Sequence, residues 1–318
     1  MEVVIIIGSQ ASGKSTLSNK YKQIGYTYLN RDSLGYNAKI KHLYPLLESA
    51  LKRGENVVID NTHPTIKSRS EFIKIAKQFD CTVTAQVMTT SIEDCQLNAV
   101  SRMIKKYGKL INNEDIKQFK DSNLFPIAVL FNYRNIYEAP TLFEGFNSIE
   151  YTKFSRVWGD EYNSKALFLD YDGTIRETIS GEFYPRTPAD VKILPNRIKK
   201  LIEYQRNGYK LFGISNQSGI HKGLLTHEQT KDCFDKTNKL LGLDIEYAYC
   251  PHASAPITCY CRKPSVGMVA FFIEKYKIST EKSKFVGNAG TDRTCANRIG
   301  IKYYEKSEFF NKISYIIK

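Results

Sequence analysis

The chain has 318 residues, enough for about two domains. Its 42% hydrophobic and 25% charged residues exclude collagen-like, low-complexity and disordered classes. Seven cysteines are too few, and odd in number, for a disulfide framework. No apolar run approaches the ~20 residues of a membrane span, and no basic leader follows Met1. We expect an intracellular protein, cytoplasmic or nuclear, with no membrane partner.

The chain is strongly basic, with 46 Lys and Arg residues against 33 Asp and Glu and a formal net charge of +13. Residues 1–160 carry a net charge of +5 and the remaining residues +8, so the excess is not confined to one tail. A basic surface attracts phosphates and nucleic acid, which favours a polyanionic partner. A Lys-rich surface without a functional role is the alternative.

Predicted strands and helices alternate along the first half. Val3 to Ile7 is a β-branched run suited to a central parallel strand that is buried on both faces. The other predicted strands are Tyr26–Asn30, Asn56–Asp60 and Thr82–Met88. The predicted helices are a stretch that ends at about Gln23, Lys41–Arg53 and Thr65–Phe79. This alternation predicts βαβ units and a parallel sheet.

The second half begins after a segment, residues 151–164, that lacks a clear period and is interpreted as a linker. Its predicted strands are Ala166–Asp170, Tyr209–Ile214, Ile245–Tyr249 and Lys284–Val286, with helices between them. The sequence therefore predicts an α/β protein with two domains, residues 1–155 and 164–318.

Gly8 to Ser15 matches the P-loop pattern G-x-x-x-x-G-K-[ST] between a predicted strand and a predicted helix. In such a loop backbone N–H groups surround phosphate oxygens, the lysine reaches the β- and γ-phosphates, and the next hydroxyl binds Mg²⁺. Lys14 and Ser15 would have these two roles. The residues expected to bind ATP are Gly8, Ser9, Gln10, Ala11, Ser12, Gly13, Lys14, Ser15 and Thr16.

Two carboxylates follow predicted strands at the edge where a parallel sheet binds its ligands. Asp32 is placed to accept a proton from a hydroxyl, with a helix cap as the alternative. Asp60 is suited to a contact with Mg²⁺, with water or with the acceptor, and again a structural cap is the alternative.

These segments resemble the 5′-hydroxyl polynucleotide kinase family, especially the kinase domain of eukaryotic polynucleotide kinase-phosphatases. The resembling segments are residues 8–16, 30–35, 57–64 and 138–146. The resemblance implies that Asp32 is the general base for a 5′-OH and that Arg102 is a lid arginine on the γ-phosphoryl group. Arg31 and Asp60 are expected at the acceptor site. Arg69 either contacts the acceptor strand or is a surface residue.

A second motif, Asp170-Tyr171-Asp172-Gly173-Thr174, directly follows an apolar predicted strand. Asp170 can attack phosphorus to form an aspartyl-phosphate. Asp172 can protonate the leaving oxygen and then activate water. A calcium loop is the alternative for this short motif, but such loops do not follow a buried strand.

Three further candidate residues for the same site follow in chain order. Ser215 offers a hydroxyl to a phosphoryl oxygen, Lys263 a cation for transition-state charge, and Asp292 a carboxylate for Mg²⁺. Together they resemble the haloacid dehalogenase phosphatase superfamily, which implies a Rossmann-like phosphatase domain with Asn216 at the substrate. The implied Mg²⁺ ligands are Asp170, Asp172, Asn288 and Asp292. Many relatives have Asp where Asn288 stands, so we expect weaker Mg²⁺ binding here.

Cys250, His252, Cys259 and Cys261 lie within twelve residues of one another. Three thiols and an imidazole complete a tetrahedral Zn²⁺ set without an open position, so a structural site is expected next to Lys263. Four unrelated buried side chains are the alternative. The zinc pattern resembles the histidinol-phosphate and heptose-bisphosphate phosphatases. The scattered cysteines, Cys81, Cys95, Cys233 and Cys295, are expected in the core.

The main functional hypothesis is an end-healing enzyme for DNA or RNA that uses ATP, Mg²⁺ and Zn²⁺. Its first domain would phosphorylate 5′-OH ends and its second would remove 3′-phosphates, leaving ends for a downstream ligase. A small-metabolite kinase fused to a sugar-phosphate or histidinol-phosphate phosphatase is the second hypothesis. The third is a non-catalytic nucleic-acid-binding module, to which Asn288 alone points.

Overall fold

A computed structural model describes residues 1–35, 38–256 and 258–311 of the chain. The chain divides into two compact units. The first comprises residues 1–99 and 111–156, and the second residues 100–110 and 157–318.

The first unit contains a five-stranded parallel sheet in the order β2-β3-β1-β4-β5. Its strands are β1 (Glu2–Ile7), β2 (Thr27–Leu29), β3 (Val57–Asp60), β4 (Thr82–Met88) and β5 (Ser148–Thr152). Its helices are α1 (Lys14–Gln23), α2 (Tyr44–Lys52), α3 (Ile66–Gln78), α4 (Ile92–Tyr107), α5 (Asn113–Phe119) and α6 (Ala128–Ile136), of which α4 continues into the second unit. All its strands are parallel, so their carboxyl ends meet at one edge.

Strand β1 is buried on both faces, as its β-branched sequence predicts. Val3, Ile5 and Ile7 join one core cluster, whereas Val4 and Ile6 join a separate cluster. Alternate side chains of a strand point to opposite faces, so this division follows from the period of two. The P-loop is therefore anchored on a strand that is packed from both sides.

Several element bounds differ from those predicted. Helix α2 begins at Tyr44 rather than at Lys41, because Pro45 takes a first-turn position and a 3₁₀ turn, Ile40–Leu43, precedes it. Helix α3 begins after Thr65, whose hydroxyl caps the backbone N–H of Ser68. Strand β5 runs two residues into the segment predicted as a linker.

The second unit has its own parallel sheet, in the order β10-β9-β6-β11-β12, and an antiparallel hairpin of β7 and β8. Its strands are β6 (Lys165–Leu169), β7 (Arg176–Thr178), β8 (Val191–Ile193), β9 (Tyr209–Asn216), β10 (Glu246–Cys250), β11 (Lys284–Gly287) and β12 (Lys302–Glu305). Its helices are α7 (Arg197–Arg206), α8 (Ser218–His221), α9 (His227–Leu241), α10 (Gly267–Tyr276), α11 (Gly290–Ile299) and α12 (Lys306–Asn311).

The fold class is α/β, as predicted, and each unit has its own buried sheet. In the second unit Phe168, Phe212 and Phe285 stack across three neighbouring strands, with ring centroids 5.6 and 6.3 Å apart. The carboxyl ends of β6, β9 and β11 lie at one edge and carry the predicted phosphatase residues. Among the described residues, no helix is both long and apolar enough to cross a membrane.

Candidate active sites

The P-loop connects β1 to α1, and Lys14 is the first residue of that helix. The backbone N–H of Gly8 donates to the carbonyl of Thr62 at 3.1 Å, which joins the loop to the end of β3. Gly13 has a φ of 96°, a left-handed conformation that favours glycine. The buried Lys14 Nζ donates to the carbonyl oxygen of Ser9 at 2.5 Å, so the ammonium lies across the loop.

Two distant side chains hold the carbonyl groups of the loop. Thr90 Oγ1 donates to the carbonyl of Ser12 at 2.7 Å, and Asn98 Nδ2 donates to that of Ala11 at 2.8 Å. Three buried polar atoms of the loop have no hydrogen-bond partner within the described chain: Ser9 Oγ, Gln10 Oε1 and Ser12 Oγ. Buried polar groups are nearly always satisfied. This loop therefore fits a polar ligand such as a nucleotide phosphate.

Asp60 ends β3 and is buried. Its Oδ2 accepts hydrogen bonds from Ser18 Oγ at 3.0 Å and Tyr28 Oη at 3.1 Å. Burial and the Asp60 carboxylate raise the pKa of Tyr28 to about 12, so this hydroxyl keeps its proton at neutral pH. These hydrogen bonds to Asp60 come from side-chain hydroxyl groups of α1 and β2, which does not fit the cap alternative.

Asp32 lies in a 3₁₀ turn, Asp32–Leu34, just after β2, and its side chain is exposed. Arg31 donates to Asp32 Oδ1 through Nη2 at 2.7 Å and Nε at 3.1 Å. The residue that precedes the turn is Arg31, and the Asp32 N–H donates to Asn30 Oδ1 at 2.6 Å. The helix-cap alternative for Asp32 is therefore wrong, and its role as a base stays a prediction.

Arg69 differs from both expectations, since it is fully buried on α3. Its Nε and Nη2 donate to the two carboxylate oxygens of Glu144 at 2.7 and 2.8 Å. Its Nη1 donates to the carbonyls of His63 and Glu138. The surface alternative is wrong, and the guanidinium is already used by these partners rather than offered to an acceptor strand.

Arg102 lies on α4, four residues after Asn98, and its side chain is exposed. It belongs to the stretch of α4 that groups with the second unit. The lid role that the family resemblance implies for Arg102 stays a prediction.

His63 is a feature that the sequence did not indicate. It is buried after β3, and its Nδ1 lies 3.2 Å from the carbonyl oxygen of Ser68. Burial lowers the pKa of His63 to about 4, so the ring is neutral at pH 7. Its Nε2 is buried without a hydrogen-bond partner among the described residues. A single histidine between Thr62 and Pro64 carries no sequence signal of this environment.

Asp170, directly after β6, forms the centre of the second site. Lys263 Nζ lies 2.7 Å from Asp170 Oδ1 and 2.7 Å from Asp292 Oδ1, and all three side chains are buried. Thr174 Oγ1 donates to the other oxygen, Asp170 Oδ2, at 3.1 Å. Lys263 Nζ also donates to the Ile214 carbonyl at 2.7 Å.

The charges of this cluster are coupled. Burial raises the pKa of Asp170 to about 6, Lys263 opposes this rise, and Asp292 adds to it. Burial by itself would lower the pKa of Lys263, but the two carboxylates together hold it above its usual value. Lys263 is therefore a permanent cation beside the predicted nucleophile.

Asp172 is held at both carboxylate oxygens. Arg176 Nε donates to Oδ1 at 2.7 Å, and Gln217 Nε2 donates to Oδ2 at 2.6 Å. Gln217 Nε2 is also 2.8 Å from Ser215 Oγ, so it links the predicted acid to the predicted phosphoryl-binding hydroxyl. Arg176 and Gln217 were not among the expected site residues.

Asn216 has a different contact from the one expected. Its Nδ2 donates to the carbonyl of Lys263 at 3.0 Å, and its Oδ1 accepts the N–H of Lys263 at 3.0 Å. Both ends of the amide therefore hold the backbone that delivers Lys263. The Asn216 amide is therefore used by the backbone of Lys263 rather than offered to a substrate.

The residues expected to bind Mg²⁺ follow the carboxyl ends of β6 and β11. Asp292 is anchored by the backbone N–H groups of Asn288 and Ala289, at 3.1 and 3.0 Å from its Oδ2. The amide of Asn288 lies 3.3 Å from the main-chain carbonyl oxygen of Asp172. The Asp172 carboxylate accepts from Arg176 and Gln217 at both oxygens, whereas its carbonyl accepts from Asn288 and keeps a second lone pair that a metal could use. Two carboxylates, a carbonyl and an amide form a hard donor set that suits Mg²⁺.

The four expected zinc ligands are together, with all ligand atoms within 4.8 Å of one another. Cys250 Sγ lies 3.7 Å from Cys259 Sγ and 3.4 Å from His252 Nδ1, and Cys261 Sγ lies 3.3 Å from that nitrogen. A tetrahedral ion with Zn–S bonds of ~2.3 Å implies sulfur separations of about 3.8 Å. Hydrogen bonds from Cys250 and then Cys261 hold the pKa of Cys259 well below its usual value. The geometry fits Zn²⁺.

The other cysteines are buried, in agreement with the core role expected of them: Cys81, Cys95, Cys233 and Cys295.

The fold and the two sites define a chain with a P-loop domain of the AAA type followed by a phosphatase domain of the haloacid dehalogenase type. A family model described as AAA domain matches residues 3–123, and one described as Polynucleotide kinase 3 phosphatase matches residues 165–310. The chain therefore contains one segment that matches each of these two family models.

Two similar proteins have names that specify different substrates. A probable D-glycero-D-manno-heptose-1,7-bisphosphate 7-phosphatase of Thermoplasma volcanium is 35% identical over 144 residues, covering 44% of this chain and 96% of that protein. The bifunctional polynucleotide phosphatase/kinase of Schizosaccharomyces pombe is 34% identical over 154 residues, 48% of this chain. The match covers only 34% of the yeast protein.

A chain in the solved Pnkp1/Rnl/Hen1 RNA repair complex is structurally similar to this protein. The match covers 96% of this protein and 95% of that chain. The identity is 17% and the TM-score 0.33. A structural similarity this low does not support any conclusion about the family or function of this protein.

Proposed function

We propose that the chain is a nucleic-acid end-healing enzyme, with a 5′-hydroxyl kinase in its first domain and a 3′-phosphatase in its second. The strongest support is the buried Asp170–Lys263–Asp292 cluster, which occurs in a polynucleotide kinase 3 phosphatase domain on the same chain as a P-loop. The name of the yeast relative and the net charge of +13 favour a polynucleotide as substrate.

In the kinase domain the acceptor oxygen forms a bond to the γ-phosphorus of ATP while the bond to the β,γ-bridging oxygen breaks. The hydroxyl proton passes to Asp32, which Arg31 orients from 2.7 Å. Lys14 stabilises charge on the transferring phosphoryl group, with Arg102 in the same role from the lid. Mg²⁺ held by Ser15 would neutralise phosphate charge.

In the phosphatase domain an Asp170 oxygen forms a bond to phosphorus while the ester bond to the strand breaks, and Asp172 gives its proton to the leaving oxygen. Water then attacks the aspartyl-phosphate, Asp172 takes back a proton, and inorganic phosphate leaves. Lys263 and Ser215 hold the phosphoryl oxygens through both steps. Mg²⁺ held by Asp170, Asn288, Asp292 and the Asp172 carbonyl would offset phosphoryl charge.

Zn²⁺ on Cys250, His252, Cys259 and Cys261 would have a structural role, since four protein ligands leave no open position. The loop it closes leads directly into Lys263. Zinc would therefore contribute to the position of that cation and to the stability of the domain.

A metabolite phosphatase in the second domain is the other candidate. The specific observation in its favour is the Thermoplasma relative, whose name specifies a heptose bisphosphate and of which 96% is covered. The phosphatase residues would act identically, and only the group bearing the phosphate would differ.

The test uses one oligonucleotide with a 5′-OH and a 3′-phosphate, incubated with γ-labelled ATP and Mg²⁺. Label at the 5′ end together with loss of the 3′-phosphate supports end healing. Heptose 1,7-bisphosphate and histidinol phosphate are assayed in parallel. A kcat/KM for either metabolite well above that for the oligonucleotide would refute the proposed 3′-phosphatase and leave the metabolite candidate.

A downstream ligase is a further proposed partner, because a 5′-phosphate and a 3′-hydroxyl are the ends that ligation joins. Adding a ligase to the same reaction should then convert nicked or cleaved strands to full-length product only when both domains are active.

A further inference from the structure

Arg176 is a buried arginine at the start of β7, with 1% of its side chain exposed. Its guanidinium lies over the ring of Phe234, with the carbon atom Cζ 4.6 Å from the ring centroid. Its Nη1 donates to the carbonyl of Cys233 at 2.8 Å and to Thr237 Oγ1 at 2.9 Å. Helix α9 therefore fixes one side of this guanidinium.

The other side of the guanidinium holds the predicted acid. Nε donates to Asp172 Oδ1 at 2.7 Å, and the two residues are four apart in a closed turn. The Arg176 carbonyl accepts the N–H of Gly173 at 2.8 Å, and its N–H donates to the carbonyl of Tyr171 at 3.1 Å. Asp172 is thus connected through one side chain to a helix more than fifty residues away in sequence.

We propose that Arg176 is the positioning residue that orients Asp172 and selects Oδ2 as the oxygen that exchanges the proton. This inference rests on the phosphatase chemistry proposed above, whichever group carries the phosphate. It concerns a residue that does not touch the substrate and that acts through Asp172.

The two oxygens of Asp172 have different partners. The Arg176 guanidinium has donors but no acceptor, so Oδ1 accepts from it and has no partner there for a proton of its own. Oδ2 accepts from Gln217 Nε2, and a neutral amide can turn to present its carbonyl oxygen instead, so this partner suits either an ionised or a protonated Oδ2. The proton therefore moves between Oδ2 and the leaving oxygen in the first step, and between water and Oδ2 in the second.

The dependence on the leaving group separates positioning from a purely structural role. An alkoxide leaving group needs its proton, whereas 2,4-dinitrophenolate leaves without one. The value of kcat/KM covers substrate binding and the transfer of phosphate to Asp170, whereas kcat also depends on hydrolysis of the aspartyl-phosphate. The probes are a nucleoside 3′-phosphate and 2,4-dinitrophenyl phosphate.

For Arg176→Gln we expect kcat/KM for the nucleoside 3′-phosphate to fall about 100-fold or more, the usual range for general acid catalysis. For 2,4-dinitrophenyl phosphate we expect a fall in kcat/KM of less than about tenfold. Arg176→Lys retains a donor and should recover part of the loss with the nucleoside 3′-phosphate. Thr237→Val, which removes one support of the guanidinium, should give a smaller loss of the same selectivity.

Arg197→Gln is the matched control. Arg197 is also buried and lies over an aromatic ring, Phe310, at 4.2 Å, but it donates to the carbonyls of Thr174 and Pro195 instead. Arg197→Gln should lower kcat/KM for both substrates to a similar extent. Equal losses on both substrates in every Arg176 and Thr237 variant would overturn the inference. A wild-type chain that hydrolyses neither ester would instead refute the phosphatase function itself.

Discussion

The ion pair of Arg69 and Glu144 offers the sharpest test of the first domain. Both side chains are buried, with 0% and 5% exposed, and two parallel hydrogen bonds join them. In Arg69→Met the Glu144 carboxylate would remain in the interior without a cation. The variant also leaves the carbonyl oxygen of His63 without its donor.

The magnitude follows from these contacts. Breaking a buried ion pair by removing one partner costs about 3–5 kcal/mol. An unsatisfied buried carbonyl adds about 1 kcal/mol. We therefore expect Arg69→Met to lower the free energy of unfolding of the first domain by about 4–6 kcal/mol. The double variant with Glu144→Leu should recover much of this, because no isolated charge then remains.

The assay is urea unfolding of the full chain, followed by circular dichroism with and without ADP. A ligand that binds only the folded state raises the stability of its domain, which assigns the transition that belongs to the P-loop domain. Glu144→Gln is measured beside Arg69→Met, because it disrupts the pair but keeps the guanidinium available to any acceptor.

Two results would refute this account of Arg69. One is an Arg69→Met chain within 1 kcal/mol of the wild type that shows a raised KM for a 5′-OH oligonucleotide and normal ATP binding. The other is a double variant as unstable as Arg69→Met. The first result would mean that the arginine acts on the acceptor strand, and the second that the isolated Glu144 carboxylate is not the source of the instability.

Three further predictions concern other parts of the molecule. The pKa of His63 is about 4 in the folded chain and about 6.5 when unfolded, so the unfolded state binds more protons between these values. The first domain should therefore lose up to ~3 kcal/mol as pH falls from 6.5 to 4 in urea titrations, and His63→Asn, which tolerates the local φ of 45°, should flatten that dependence. Cys259→Ser should abolish the expected content of one zinc per chain and lower the melting temperature of the phosphatase domain; unchanged zinc by metal analysis would contradict the site. Lys14→Ala should abolish 5′ phosphorylation and spare the phosphatase, and Asp170→Asn should do the reverse; loss of both activities in either variant would exclude two independent sites.

The sequence predicted the parts of each site that lie consecutively along the chain. The P-loop from Gly8 to Ser15 and the motif from Asp170 to Thr174 each follow a strand whose apolar pattern identifies it. The zinc ligands also lie within one short segment, so their spacing alone indicated the site. In each case the chemistry depends on neighbours a few residues apart, and local geometry brings these together in any fold that contains the element.

The side chains that support those motifs are brought to them by long-range packing and could not be read from the sequence. Arg69 was expected either at the acceptor strand or on the surface, because its partner Glu144 is 75 residues away and gives no local signal. Asn216 was expected at the substrate, but the backbone of Lys263 comes close to it only when the sheet forms. The roles of Thr90, Gln217 and Arg176 likewise had no local signal. A buried polar group must find a partner, and which partner it finds depends on packing between segments that sequence spacing does not describe.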